Sequence, residues 1–275
     1  MRQIPSFARL LSSAALPVLL AAGLCGCQTM ADITGSISPK AAPAADADPH
    51  RTAEIEGERY RADPRNADAA LAYGQALRAS GQRSQAVAVL EQATITHPAN
   101  RTLLAAYGRA LADNGNFQQA FDVLGRAHSP EDPDWRLLSV QGAALDQLGR
   151  HEEARRYYAS ALKIAPEEPS VLSNLGLSYM LSKNLPKAEE VLRQAYGSGR
   201  ADARVRQNLG LVVGLQGRFA EAEQIVRADL PAEEAAANVA YLRQMLNRKD
   251  DSRPAPAKMP IASLSRPETV TSGNH

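Results

Sequence analysis

Gly74, Gly108, Gly142, Gly176 and Gly210 stand 34 residues apart without a gap. Around them recur AYGQAL, AYGRAL, VQGAAL, NLGLSY and NLGLVV. Twelve residues after each glycine is an alanine: Ala86, Ala120, Ala154, Ala188 and Ala222. Four further on is a large residue (Leu90, Leu124, Tyr158, Leu192, Val226), then Ala93, Ala127, Ala161 and Ala195, with Pro98 and Pro166 closing two of the units. A period this strict means a stack of like units, each burying its apolar face on its neighbours, rather than one globular core. A glycine inside a helix costs about 1 kcal/mol against alanine. Five such costs at one register need an offset, and the missing side chain supplies it by letting a partner helix bring in the large residue. Gly81, Gly115, Gly149 and Gly217 fall where the first helix of each unit ends and a positive φ is useful. The fourth unit has Lys183-Asn184 there, and Asn184 is the residue that tolerates that conformation better.

The period and residue types resemble the tetratricopeptide repeat, a helix–turn–helix unit of 34 residues. The expected fold is all-α, a right-handed superhelical solenoid. Five repeats are expected at about 67–100, 101–134, 135–168, 169–202 and 203–231, inside a repeat domain spanning 51–249. The fifth departs from the pattern, with Asp229 in place of alanine and Arg206 in place of an apolar residue. Before the first, TAEIEGERYRADP reads as a capping helix over 51–63. After the last, PAEEAAANVAYLRQMLNRK carries helix start and stop signals and predicts a capping helix over 232–248.

The chain has two cysteines, both in LCGCQTM, after a start with Arg2 and Arg9 and the apolar run Leu10 to Leu24. A charged start, a short apolar core and small residues describe a secretory signal peptide, too short and too interrupted by Pro17 for a membrane span. Leu24-Cys25-Gly26-Cys27 resembles the bacterial lipobox. That resemblance implies a lipoprotein signal peptide over 1–26, cleavage after Gly26 and lipidation (palmitate among the acyl chains) at Cys27. Gln28, where an aspartate favours the inner membrane, points to the outer one. Residues 27–50 then read as a lipidated N-terminus and disordered tether, and 250–275, with four prolines, as a disordered tail.

Removing residues 1–26 takes away two arginines and no acid, so the net charge moves from +1 to −1. Nothing in that balance recruits nucleic acid. The histidines His50, His97, His128, His151 and His275 never cluster, so no metal site is read. Glu152-Glu153 and Glu189-Glu190 are sequence neighbours on helices, which do not face one another. They read as solvated faces, and His151 as a surface residue. No catalytic set and no cofactor are expected; the chain reads as a binding protein rather than an enzyme.

First helices should line the concave face of the solenoid. Asn174 and Asn208 share a register there, either as rungs that grip an extended peptide backbone or as local helix–helix contacts. Leu177, Met180, Leu181, Leu211 and Leu215 form an apolar trough that invites an amphipathic helix or an apolar strand of a partner, or else is filled by the chain's own helix 232–248 through Val239, Leu242 and Leu246. Arg136 and Arg204 sit near the groove mouth. A chaperone-type carboxylate clamp is not read, because its Lys and Asn positions are Leu71, Gln75, Ala105 and Ser139.

The run from about Arg51 to Asn247, with its YRADP start, the stretch from Trp135 to Ala195 and the lipobox, resembles the repeat lipoproteins of the tight-adherence (Flp pilus) assembly system, the TadD-like proteins. The resemblance implies a lipid-anchored protein at the periplasmic face of the outer membrane. It would be a scaffold that helps a pilus secretin or another pilus-assembly component reach the membrane, assemble or stay stable. The alternatives are a repeat lipoprotein of another envelope machine, for outer-membrane protein insertion or peptidoglycan synthesis, and, from a different class, an envelope enzyme.

Overall fold

A computed structural model describes residues 48–251; the leader, Cys27, most of the tether and the tail from residue 252 lie outside the described residues. The described residues form helices joined by short turns, with one isolated bridge between Ser129 and Asp132 and no strand. In chain order they are α1 (Pro49–Ala62), α2 (Ala67–Ala79), α3 (Arg83–Thr96), α4 (Arg101–Asp113), α5 (Phe117–Ala127), α6 (Trp135–Gln147), α7 (His151–Ile164), α8 (Pro169–Leu181), α9 (Leu185–Gly197), α10 (Ala203–Leu215), α11 (Phe219–Val226) and α12 (Ala232–Asp251). Five antiparallel pairs, α2/α3 through α10/α11, make the five repeats of a tetratricopeptide solenoid. The first helices of successive pairs also pack on one another, α2 on α4 through α8 on α10.

The first helix of each repeat starts at a polar cap. The Asn66 carboxamide oxygen accepts from the Asp68 and Ala69 amides, and the side chains of Asn100, Asp134, Glu168 and Asp202 accept at the equivalent places. These caps satisfy amides that the helix itself cannot. The turn between the two helices needs one residue at positive φ. Gly81, Gly115, Gly149 and Gly217 take φ of 76°, 86°, 76° and 83°. In the fourth repeat the residue that turns left-handed is Lys183, φ 63°, and not Asn184. Asn184 instead caps α9, accepting from the Lys187 amide at 3.2 Å. The register decides the position, and side-chain preference does not move it.

The repeat glycines do what their spacing implies. A Cβ added at Gly74 would lie 2.5 Å from the Leu90 side chain, at Gly108 2.5 Å from Leu124, and at Gly142, Gly176 and Gly210 2.6 Å from Tyr158, Leu192 and Val226. Ala86, Ala120, Ala154, Ala188 and Ala222 are fully buried or nearly so on the opposite helix. The two departures in the fifth repeat turn out to be partners. Arg206 donates from Nε and Nη2 to the two Asp229 carboxylate oxygens at 2.6 and 2.5 Å, closing α10 onto the end of α11 with a fork where repeats two to four have Leu and Ala.

Both ends are half repeats. α1 starts and ends 34 residues before α3, so it is a second helix without its first. It begins at Pro49, so Pro49 and His50, read as tether, are helical. α12 packs on α10 and α11 as a following first helix would, but starts five residues ahead of the repeat register and runs on to Asp251. Gly214 sets that seat: a Cβ there would lie 2.6 Å from Leu242.

Candidate docking groove

The concave face is lined by corresponding positions of the first helices. One row runs Gln75, Arg109, Ala143, Leu177 and Leu211, at 34-residue steps. Its character changes along the groove from polar to cationic to apolar. Leu177 is buried, Met180, Leu181 and Leu215 are half-buried, and Leu211 is 37% exposed.

α12 extends this trough instead of filling it. Ala235 and Val239 are buried against the stack and Leu242 seats on Gly214. Arg243 stacks on the Phe219 ring of α11 at 4.6 Å, which fixes one flank of α12 toward the convex side. By helical rotation Tyr241 and Met245 then lie on the opposite flank, on the concave side. They are 55% and 46% exposed. The apolar row therefore continues from Leu211 and Leu215 to Tyr241 and Met245. The sequence reading missed these two because, of α12, it named only the inward residues Val239, Leu242 and Leu246.

The asparagines are used inside the stack. Asn174 Nδ2 donates to Ser139 Oγ at 3.1 Å and Asn208 Nδ2 to Ser173 Oγ at 2.9 Å, each reaching back one repeat. Of the two readings open in the sequence, the local helix–helix role is the one these contacts fit.

At the other end of the groove Arg78 pairs with Asp113 at 2.6 Å, and Arg136 stacks on Trp135 at 4.5 Å with Asp134 at 4.0 Å. Arg109 stands between them. Burial and the neighbouring Arg78 charge push it below its usual range, Arg136 adds to this, and Asp134 and Asp113 oppose it. Three guanidinium groups face two carboxylates, so this end carries a surplus of positive charge. Arg204 is half-buried with Asp202 at 3.8 Å.

His151, read as a surface residue, is tied to a buried node. Its Nδ1 lies 2.8 Å from Asp146 Oδ1, which also accepts from Ser178 Oγ at 2.8 Å, while Tyr158 donates to Asp146 Oδ2 at 2.9 Å. The serine faces the carboxylate and not the imidazole, so no nucleophile–base pair is set up. A second irregularity lies between α5 and α7. α5 ends three residues short of the α3 register, and Gln141 stands where repeats one and two have Tyr73 and Tyr107. A cleft of about 460 Å³ opens there, lined by Gln141, His128, Tyr157 and Lys163 among others. The break in the tyrosine register was the available signal. Among the described residues no cluster of three potential metal ligands occurs, and no helix is long and apolar enough to cross a membrane.

Comparison with known proteins agrees with the fold. A family model described as anaphase-promoting complex, cyclosome, subunit 3 matches residues 46–127, and a tetratricopeptide-repeat model matches 122–169 and 139–204. No curated protein matches the chain. Among solved structures, PilW, described as a widely conserved type IV pilus biogenesis factor, is similar at a TM-score of 0.61 and 18% identity, over 70% of this chain and 91% of that one. Pseudomonas aeruginosa PilF is similar at 0.51 and 18%, over 68% and 93%. A chain of the Cut9–Hcn1 hetero-tetramer of the APC/C is similar at 0.60 and 18%, over 74% of this chain; the present chain spans 40% of its length.

Proposed function

Because the chain is a solenoid of tetratricopeptide repeats, a fold of the protein-interaction scaffold type, we propose that it binds a protein segment on its concave face and serves as a membrane-anchored assembly factor for a tight-adherence (Flp) pilus machine. The observation that carries the docking role is the exposure of Leu211, Tyr241 and Met245, at 37%, 55% and 46%, which the helical phase of α12 groups on the concave side. Apolar side chains held open in a rigid, repeated frame lose little conformational entropy on binding. The pilus assignment is supported by the resemblance of the sequence to the TadD-like lipoproteins and is in keeping with PilW, a type IV pilus biogenesis factor of similar fold. In this reading Cys27 carries the lipid, the site is the periplasmic face of the outer membrane and the partner is the pilus secretin or a neighbouring component. An anchor confined to that surface raises the effective concentration of groove and partner for each other.

The test is in-cell photo-crosslinking from position 211 or 241 of the full chain, with position 95 as a convex-face control; Ile95 is 68% exposed on α3. The expected result is an adduct with a secretin or another pilus-assembly protein from 211 and 241, absent from 95 and reduced when Cys27→Ala removes the anchor. Adducts from position 95 alone, or with components of another envelope machine, overturn the assignment.

A further inference from the structure

We propose that the segment received by the concave groove is an amphipathic α-helix, with apolar residues one heptad apart and an acidic residue at the end that meets Arg109. The inference rests on the concave docking reading above and narrows it to one class of ligand.

The spacing of the rungs suits a helix. Leu177, Leu211 and Tyr241 sit on α8, α10 and α12, three first helices packed side by side. Packed helices lie about 8–10 Å apart, so the rungs repeat at about that distance across the groove. A ligand helix running along the row presents the same face every seven residues, about 10.5 Å. A strand presents the same face every two or four residues, about 6.8 or 13.6 Å, and matches the rungs at neither step. Met180, Leu181, Leu215 and Met245 widen each rung into a strip, as the apolar stripe of a helix requires.

The groove offers little to a ligand backbone. An extended ligand brings unpaired amides and carbonyls into the groove and needs partners for them. The two register-matched asparagines, Asn174 and Asn208, already donate from Nδ2 to serines of the preceding repeat. The rungs themselves are Leu and Met side chains and the Tyr241 ring, which suits a ligand whose backbone is satisfied internally.

Charge is distributed unevenly along the row. The row leads from the apolar rungs through the small Ala143 to Arg109, where Arg78, Arg109 and Arg136 outnumber Asp113 and Asp134. A carboxylate on the ligand would offset that surplus about two heptads before its first apolar anchor, and the asymmetry fixes which way round the helix lies.

The probes are fluorescein-labelled peptides of about five heptads, titrated onto the full-length chain in mild detergent and read by anisotropy. The first has glutamate at one heptad position in its first heptad, alanine at that position in the second, to face Ala143, and leucine there in the last three. The second carries the same glutamate and leucines, with the leucines at alternate positions and a central proline added. The heptad probe is expected to bind, to weaken at least about tenfold on Leu211→Glu or Tyr241→Glu, and to lose about three- to tenfold plus much of its salt dependence on Arg109→Gln. Leu211 and Tyr241 are exposed enough for these variants to fold, which thermal melts verify. Binding of the alternating probe alone, lost on Leu211→Glu, overturns the helix and leaves the groove reading standing. Binding of either probe that ignores both Leu211→Glu and Tyr241→Glu overturns the groove reading as well. No binding of the heptad probe at about 1 mM overturns the helix.

Discussion

A methyl group added at Gly142 would place its carbon 2.6 Å from the Tyr158 ring, against a side chain buried on every side. Gly142→Ala is therefore expected to destabilise by about 1–3 kcal/mol, although alanine is the better helix former by about 1 kcal/mol. Lys183→Gly should do the opposite. Lys183 sits at φ 63°, a conformation that costs an L residue about 1–2 kcal/mol, of which glycine's extra unfolded-chain freedom returns about 0.5–1. A small net gain is expected, read as a rise in urea midpoint at unchanged m for Lys183→Gly and a fall for Gly142→Ala. The close approach at the repeat glycines was legible from spacing alone, because nothing but a facing large residue explains a helical glycine at fixed intervals. The turn at Lys183 was misread because residue preference was weighed above register. The Asp146 node was not legible at all, since Ser178 and His151 reach it from different helices and share no spacing.

At the level of the helix, α10 shows how a departure from the repeat can be compensated. Arg206 and Asp229 each break the pattern, and their bidentate pair stands where repeats two to four have Leu and Ala. The guanidinium beside Asp229 holds that carboxyl below the usual range, which marks the pair as ionised. Arg206→Leu or Asp229→Ala alone leaves one charge half-buried without its partner; the double variant restores the contact used in repeats three and four. The singles should each destabilise and the double should recover most of the loss, with a coupling of about 1–2 kcal/mol in a double-mutant cycle by chemical denaturation. Additive singles would mean that solvent already screens the pair. In sequence the two residues could only be recorded as separate anomalies, 23 positions apart. The seat of α12 was hidden for a similar reason: its apolar pattern marks a buried stripe, but its slide along α10 is set by Gly214, one residue on another helix.

Across the whole molecule the apolar core is not uniform. One continuous cluster runs from α1 through α6, a second spans α6 to α8, and two more serve the C-terminal repeats. On the concave side the junction of repeats three and four is bridged by buried polar groups, Ser178 on Asp146 and Asn174 on Ser139. Solenoid stability is close to a sum of unit and neighbour-interface contributions, so a weakened interface lets one end open before the other. Asp146→Ala leaves the buried Tyr158 and Ser178 hydroxyls unpaired and should cost about 2–4 kcal/mol. Most of that loss should appear as faster hydrogen exchange in α8–α12, with α2–α5 still protected. The same junction should respond to pH. Burial holds the Asp146 carboxyl above the usual aspartate range, while hydrogen bonds from His151, Ser178 and Tyr158 pull the other way. A carboxyl whose folded value is raised binds its proton more tightly in the fold, so its contribution is full below the unfolded value and is lost as pH rises through the folded one. Asp146→Asn cannot titrate. The stability of the natural chain minus that of this variant should therefore fall as pH rises from the ordinary aspartate range upward, measured by denaturation midpoints at a series of pH values. A difference that instead grows with pH would mean that the ion pair with His151 outweighs burial, and that charge rather than desolvation governs how the two halves of the groove are joined.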